Sequence, residues 1–180
     1  MKYLWMVFGG ALLVVIIFVV FVREEGEFKS PQDKQTFTDG DLKVDHVYGR
    51  PSKRDRVIFG GLVPFDTIWR TGANEATEFH TNQDLDFGGQ PLKAGDYSMW
   101  AKPGKETWSL YFNSVIPDWG INEQGLSRDA ANDAIVITAP STSSDQVTEI
   151  FTISVEKADS TYNLVFNWDK TKVVFPFKKQ

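Results

Sequence analysis

No cysteine occurs among the 180 residues. That excludes disulfides, thiol nucleophiles, thiolate metal sites and a lipidated N-terminal Cys. Histidine is nearly as scarce, with His46 and His80 alone. Neither has a second histidine two or four residues away, so no metal-ligand spacing is present. Both, flanked by Asp45 and Glu78, read as surface or interface histidines, and no cofactor is implied. No polybasic stretch exists to hold anionic lipid. The net charge is −5, and beyond residue 23 the chain keeps 17 basic against 24 acidic residues. So acidic a chain lacks the basic surface that displaces counterions from nucleic acid. A Gly-x-Ser-x-Gly elbow is missing. The glycines of Phe59-Gly60-Gly61 and Phe87-Gly88-Gly89 precede no helix start and fit turns, not phosphate cradles.

One long apolar run is present. Tyr3 to Val22 carries no charge, and twenty helical residues at about 1.5 Å each match a hydrocarbon core of about 30 Å. A cleaved leader would have a shorter apolar region ending in small residues. This run ends Phe21-Val22-Arg23-Glu24-Glu25. Residues 1–23 therefore read as an uncleaved transmembrane anchor, with the lipid bilayer as partner through residues 3–22. Lys2 before the span and Arg23 after it set only a slight positive-inside difference. The expectation is a single-pass cell-membrane protein with its domain on the exported, periplasmic or extracellular, side.

Residues 24–40, with Ser30-Pro31 and Asp39-Gly40, read as a polar linker. From residue 41 to 180, helical periodicity gives way to short β-branched and aromatic runs between turn residues. Leu42–Tyr48, Thr67–Thr71 and Ala76–Thr81 read as strands. Leu85–Phe87 and Gln90–Leu92 form a tight hairpin over Gly88-Gly89. Asp96–Lys102 and Thr107–Asn113 alternate, with Trp108, Leu110 and Phe112 on one face. Ala134–Ala139 and Val147–Glu156 follow. Tyr162–Trp168 and Lys172–Phe177 close the chain as a hairpin over Asp169-Lys170-Thr171. Residues 118–133 read as a short helix or an irregular loop. About nine strands without crossover helices predict an all-β fold, an antiparallel β-sandwich preceded by one N-terminal transmembrane helix.

The segment Arg50 to Thr77 is distinctive, above all Trp69-Arg70-Thr71-Gly72-Ala73-Asn74-Glu75-Ala76-Thr77. With Leu92-Lys93-Ala94-Gly95-Asp96-Tyr97-Ser98, Trp108, Asn113, Trp119-Gly120 and Trp168-Asp169-Lys170-Thr171-Lys172-Val173, it resembles the bacterial family called domain of unknown function 2911. The likeness runs over about residues 36–178. The family usually has Gly where Asp55 stands and Pro where Lys93 stands. Many of its members look like exported proteins with a cleaved leader. The resemblance implies a β-rich envelope domain and supplies no activity.

Arg50, Arg56 and Arg70 stand close in sequence to Asn74 and Glu75. A guanidinium grips a carboxylate or phosphate with paired hydrogen bonds, so arginines converging on one surface would bind a small anion or an acidic glycan. The plainer reading has Arg70 paired with Glu75 and Asn74 capping a turn. Tryptophans stack on sugars but more often fill cores. Trp108 and Trp168 read as core, Trp100 as outward-facing, and Trp119, in Pro117-Asp118-Trp119-Gly120, as the most exposed. Arg50, Arg70, Asn74, Glu75 and Trp119 are thus the candidate ligand-binding residues. The function this predicts is a non-catalytic binding or scaffolding module of the envelope. The alternative is a hydrolase acting on envelope carbohydrate or peptide, with carboxylates drawn from Asp66, Glu75, Asp96 or Asp118.

Overall fold

The computed structural model describes residues 12–20, 22, 29–122 and 125–180. Residues 12–20 are helical and exposed. Among the described residues no helix is long and apolar enough to cross a membrane. The expected span falls partly on Tyr3 to Ala11 and Phe21, which lie outside the described residues.

The rest is built from strands β1 (Gln32–Asp39), β2 (Leu42–Gly49), β3 (Thr77–Thr81), β4 (Leu85–Phe87), β5 (Gln90–Leu92), β6 (Gly95–Pro103), β7 (Thr107–Asn113), β8 (Ile121–Asn122), β9 (Gly125–Leu126), β10 (Asp133–Ala158) and β11 (Thr161–Lys179). Nine form one antiparallel sheet in the order β1-β2-β3-β6-β7-β10-β11-β4-β5, and β8-β9 pair separately. All-β and nine-stranded antiparallel hold as the alternation predicted. The nine strands are nonetheless one continuous sheet. The first part of β10 pairs with β7 through Asp133–Pro140. From Ser141 it pairs with β11, with irregularities between Ser143, Thr148 and Thr152. Such bulges bend a strand, and here the bend lets the far half of β10 face β2. Tyr48 Oη accepts from the Ile153 amide at 3.0 Å, and His46 Nε2 lies 3.1 Å from the Ile153 carbonyl.

The core fills the space enclosed by this folded sheet. Leu42, Val44 and Tyr48 from β2, Trp108, Leu110 and Phe112 from β7, Phe151 and Ile153 from β10, and Leu164, Phe166 and Phe175 from β11 are all buried in it. Aromatic edges meet faces throughout, as Phe59 does on Trp108 at 4.8 Å between centroids, the geometry ring quadrupoles favour.

Four sequence expectations are corrected. The segment assigned to the linker, 24–40, contains β1, which pairs with β2 from Gln32↔Gly49 to Asp39↔Leu42. Its residues Gln-Asp-Lys-Gln-Thr-Phe-Thr-Asp are polar because this is an edge strand, half of it exposed, and edges carry charge against aggregation. Thr67–Thr71 is not a strand but a single bridge, Trp69 to Ala101. The expected hairpin over Asp169-Lys170-Thr171 is not formed: β11 runs on through these residues, opposite the irregular stretch of β10 between Ser143 and Thr148. Residues 118–133 hold the β8-β9 pair and one 3-10 turn, Ala130–Asn132.

Trp100 is buried, not outward-facing. It lies off the main core, because the chain after β7 folds back over the outer face of β6. The Trp100 indole donates to Ser98 Oγ at 2.9 Å, which donates in turn to the Val115 carbonyl at 2.7 Å. Asn113 Nδ2 donates to the Asp129 carbonyl at 2.7 Å, and the Arg128 guanidinium sits 4.5 Å over the Tyr111 ring.

Candidate functional site

Between β2 and β3 the chain runs for 27 residues without a regular strand, pinned at Trp69 by a pair of backbone hydrogen bonds to Ala101 of 2.7 and 2.9 Å. Trp69 turns inward onto Phe151 and lies stacked with Trp168. Beyond it the backbone curls through left-handed conformations at Thr71 (φ 57°) and Asn74 (φ 65°). For a β-branched residue such as Thr71 this is a strained geometry. It is held by Thr77 Oγ1 donating to the Thr71 carbonyl at 2.7 Å and by Trp69 Nε1 donating to the Gly72 carbonyl at 3.2 Å. A side chain at Gly49 would place its Cβ 2.2 Å from the Ala73 carbonyl oxygen, so only glycine lets β2 pass there.

This curl sets Arg70 on the side away from the core. Its aliphatic stem lies against Gly120, where a Cβ would fall 2.3 Å from Arg70 Cδ. The Gly120 amide bonds to the Asn74 carbonyl at 3.0 Å, fixing the wall on which the arginine lies. Arg70 Nε is buried with no hydrogen-bond partner, and Arg70 forms no ion pair among the described residues. Burial alone pushes its pKa below the ordinary arginine value. An unmet buried donor costs about 1–3 kcal/mol, so this arginine is poised for an acceptor.

The guanidinium opens on a cleft of about 380 Å³ whose lining includes Lys29, Arg54, Arg56, Arg70 and Asn74, with Trp69, Trp168, Leu62 and Val63 as apolar surface. No carboxylate is among its lining residues within the described part of the chain. Arg54 donates to the Lys29 carbonyl at 2.8 Å. Arg56 donates to the carbonyls of Lys53, at 2.9 Å, and Ser52. Carbonyls orient these guanidiniums without neutralising them. In a chain of net charge −5, the cleft concentrates the opposite sign, and low-dielectric walls strengthen its field.

Of the five expected ligand-binding residues, the cleft gathers Arg70 and Asn74. Arg50 is elsewhere: it pairs with Asp33 at 3.1 Å and donates to the Phe151 carbonyl at 3.4 Å, tying β1 to β10. Glu75 is half-buried and pairs with no cation among the described residues, so the expected Arg70–Glu75 pairing is not formed. Trp119 is half-buried beside Gly120 and does not line the cleft. Asn74 caps no turn with its side chain; its Nδ2 reaches the Ser30 carbonyl at 3.5 Å. Lys29 and Arg54 went unrecognised because they converge on Arg70 only through pairings distant in sequence. Their signal was the cluster Lys53-Arg54-Asp55-Arg56, too short to stand out.

The histidines divide. His46 is buried, against expectation, with Nε2–H donating to the Ile153 carbonyl and Nδ1 left without a partner. Burial pushes its pKa down. His80 is at the surface, its Nδ1 2.6 Å from Asp96. No group of three or more metal-ligating side chains occurs among the described residues.

Residues 30–177 match a protein family described as "Protein of unknown function (DUF2911)". No curated protein and no solved structure matches the chain.

Proposed function

This chain belongs to the DUF2911 family of unknown function, and on that footing we propose a membrane-tethered envelope protein whose β domain binds a small anion or an acidic glycan at Arg70. The observation that carries the reading is the buried, partnerless Arg70 Nε beside a cleft whose other charges, among the described residues, are all positive. An anionic oxygen there would meet the orphaned donor, and a guanidinium fork grips a carboxylate or phosphate in bidentate fashion. Trp69, at the edge of the cleft, offers an apolar surface to a sugar ring. The tether rests on the uncharged run from Tyr3 to Val22, and the exported orientation on the slight charge difference across it. The hydrolase reading has less behind it, since no acid among the described residues lines the cleft and Glu75 stands outside it.

The test is calorimetric titration of the detergent-solubilised full chain with inorganic phosphate and with glucuronate. Binding that weakens with salt is expected, and its loss in Arg70→Met. Without ligand, Arg70→Met should melt no lower than the parent, because the methionine removes an unmet donor and keeps the stem packed on Gly120. A loss of about 2–4 kcal/mol would instead make Arg70 a structural pin and retire the site.

A further inference from the structure

The cleft sits at the end of the domain where the chain arrives from the apolar run. Lys29 and Ser30 are in its wall. Six residues lie between Val22 and Lys29, and the seven steps that join the two, at no more than about 3.5 Å each, reach about 25 Å. If residues 3–22 span a bilayer, the cleft is held within that distance of the lipid surface.

The loop beside the cleft has the composition of a membrane-contacting surface. Ile58 and Val63 are buried in the core. They fix a compact turn closed by the amides of Leu62 and Val63 donating to the carbonyls of Val57 and Ile58 at 3.0 and 2.9 Å. Gly61 is required there, since a Cβ would meet the Val57 carbonyl oxygen at 2.5 Å. The turn presents Val57, 71 % exposed, and Leu62, 47 % exposed, next to Arg54 and Arg56. Apolar tips flanked by arginines suit the headgroup boundary, where side chains enter the acyl region while guanidiniums meet phosphates.

We propose that the cleft of Arg54, Arg56 and Arg70 docks on the phosphodiester headgroup of an anionic lipid, seating Val57 and Leu62 in the membrane interface. This rests on the tether and on the anion site proposed above, and it names the anion. Glu24, Glu25 and Glu27 in the intervening stretch oppose an anionic surface. Docking therefore depends on the assembled cleft, not on net charge. Each basic residue near such a surface contributes about fivefold in affinity.

Because the chain has no cysteine, Leu62→Cys gives a unique labelling site. The full chain, labelled there with an environment-sensitive fluorophore, is placed in phosphatidylcholine nanodiscs with and without phosphatidylglycerol. The expected result is a blue shift and protection from acrylamide only with phosphatidylglycerol. Both should weaken as salt rises, and about 25-fold more phosphatidylglycerol should be needed in an Arg54→Ala/Arg56→Ala background. A label at Asp159→Cys, in the β10–β11 turn at the far end of β1, should respond to neither lipid. Identical Leu62 signals in the two lipids would overturn the proposal. If inorganic phosphate nevertheless binds by calorimetry in an Arg70-dependent way, the anion site stands and the lipid does not. If neither binds, both fall.

Discussion

Asp55 shows how one residue's backbone carries information its side chain does not. It occupies the left-handed region at φ 58°, next to Arg54 at φ 49°, in an exposed loop. The family usually has glycine at this position, and glycine enters that region without the Cβ penalty. Asp55→Gly should therefore raise stability by about 0.5–1 kcal/mol, read as a higher melting midpoint; an unchanged or lower midpoint would show that the aspartate contributes more than it strains. Arg70 is the complementary case. Its proximity to Asn74 was plain in the sequence. Its lack of a partner was not, because pairing with Glu75 at i+5 is decided by the curl through Thr71 and Asn74.

At the scale of elements, period-two alternation located most strands correctly and misjudged what joins them. In β11 the residues that join the main core are Tyr162, Leu164, Phe166 and Trp168, then Val173, Phe175 and Phe177. The parity changes between 168 and 173. A chain inverts parity either by turning back or by a bulge, and both produce the same pattern. Here the strand continues: Asp169 takes a left-handed backbone, φ 52°, opposite the irregular stretch of β10, and β11 runs on beside β10. Bends of this kind let β10 fold over β2, where Tyr48 spans the gap. Its hydroxyl accepts from the Ile153 amide at 3.0 Å. Tyr48→Phe leaves that buried amide without its acceptor and should cost about 1–3 kcal/mol, measured by chemical denaturation with an unchanged slope. A cost near zero would mean that aromatic packing, such as Tyr48 on Phe151, closes the fold unaided.

For the molecule as a whole, acid should act in two stages. Burial holds the pKa of His46 down, so the unfolded chain takes up a proton near its ordinary value of about 6.5 that the folded chain refuses. Stability therefore falls as pH drops below about 6.5. Thermal melts between pH 7.5 and 5.5 should show this slope, and His46→Gln should flatten it. A second stage comes from carboxylates at the surface. Asp41 is held to about 2, chiefly by its hydrogen bond from Lys179, and Asp39 is lowered first by Lys157 and then by Tyr162. Their contribution is present above about pH 4 and is lost as pH falls toward 2.

Local patterns were enough to specify β-class, most strand positions and the inward faces of Trp108, Phe112 and Trp168, because side-chain alternation depends only on neighbours two residues apart. The cleft belongs to another level. Lys29, Arg54, Arg56 and Arg70 span more than forty residues and become one positive surface only once β1 lies beside β2 and Trp69 is bridged to Ala101. No residue-by-residue rule encodes that meeting, since a sheet's long-range pairings, and the bulges that bend it, are chosen by the packing of the whole core.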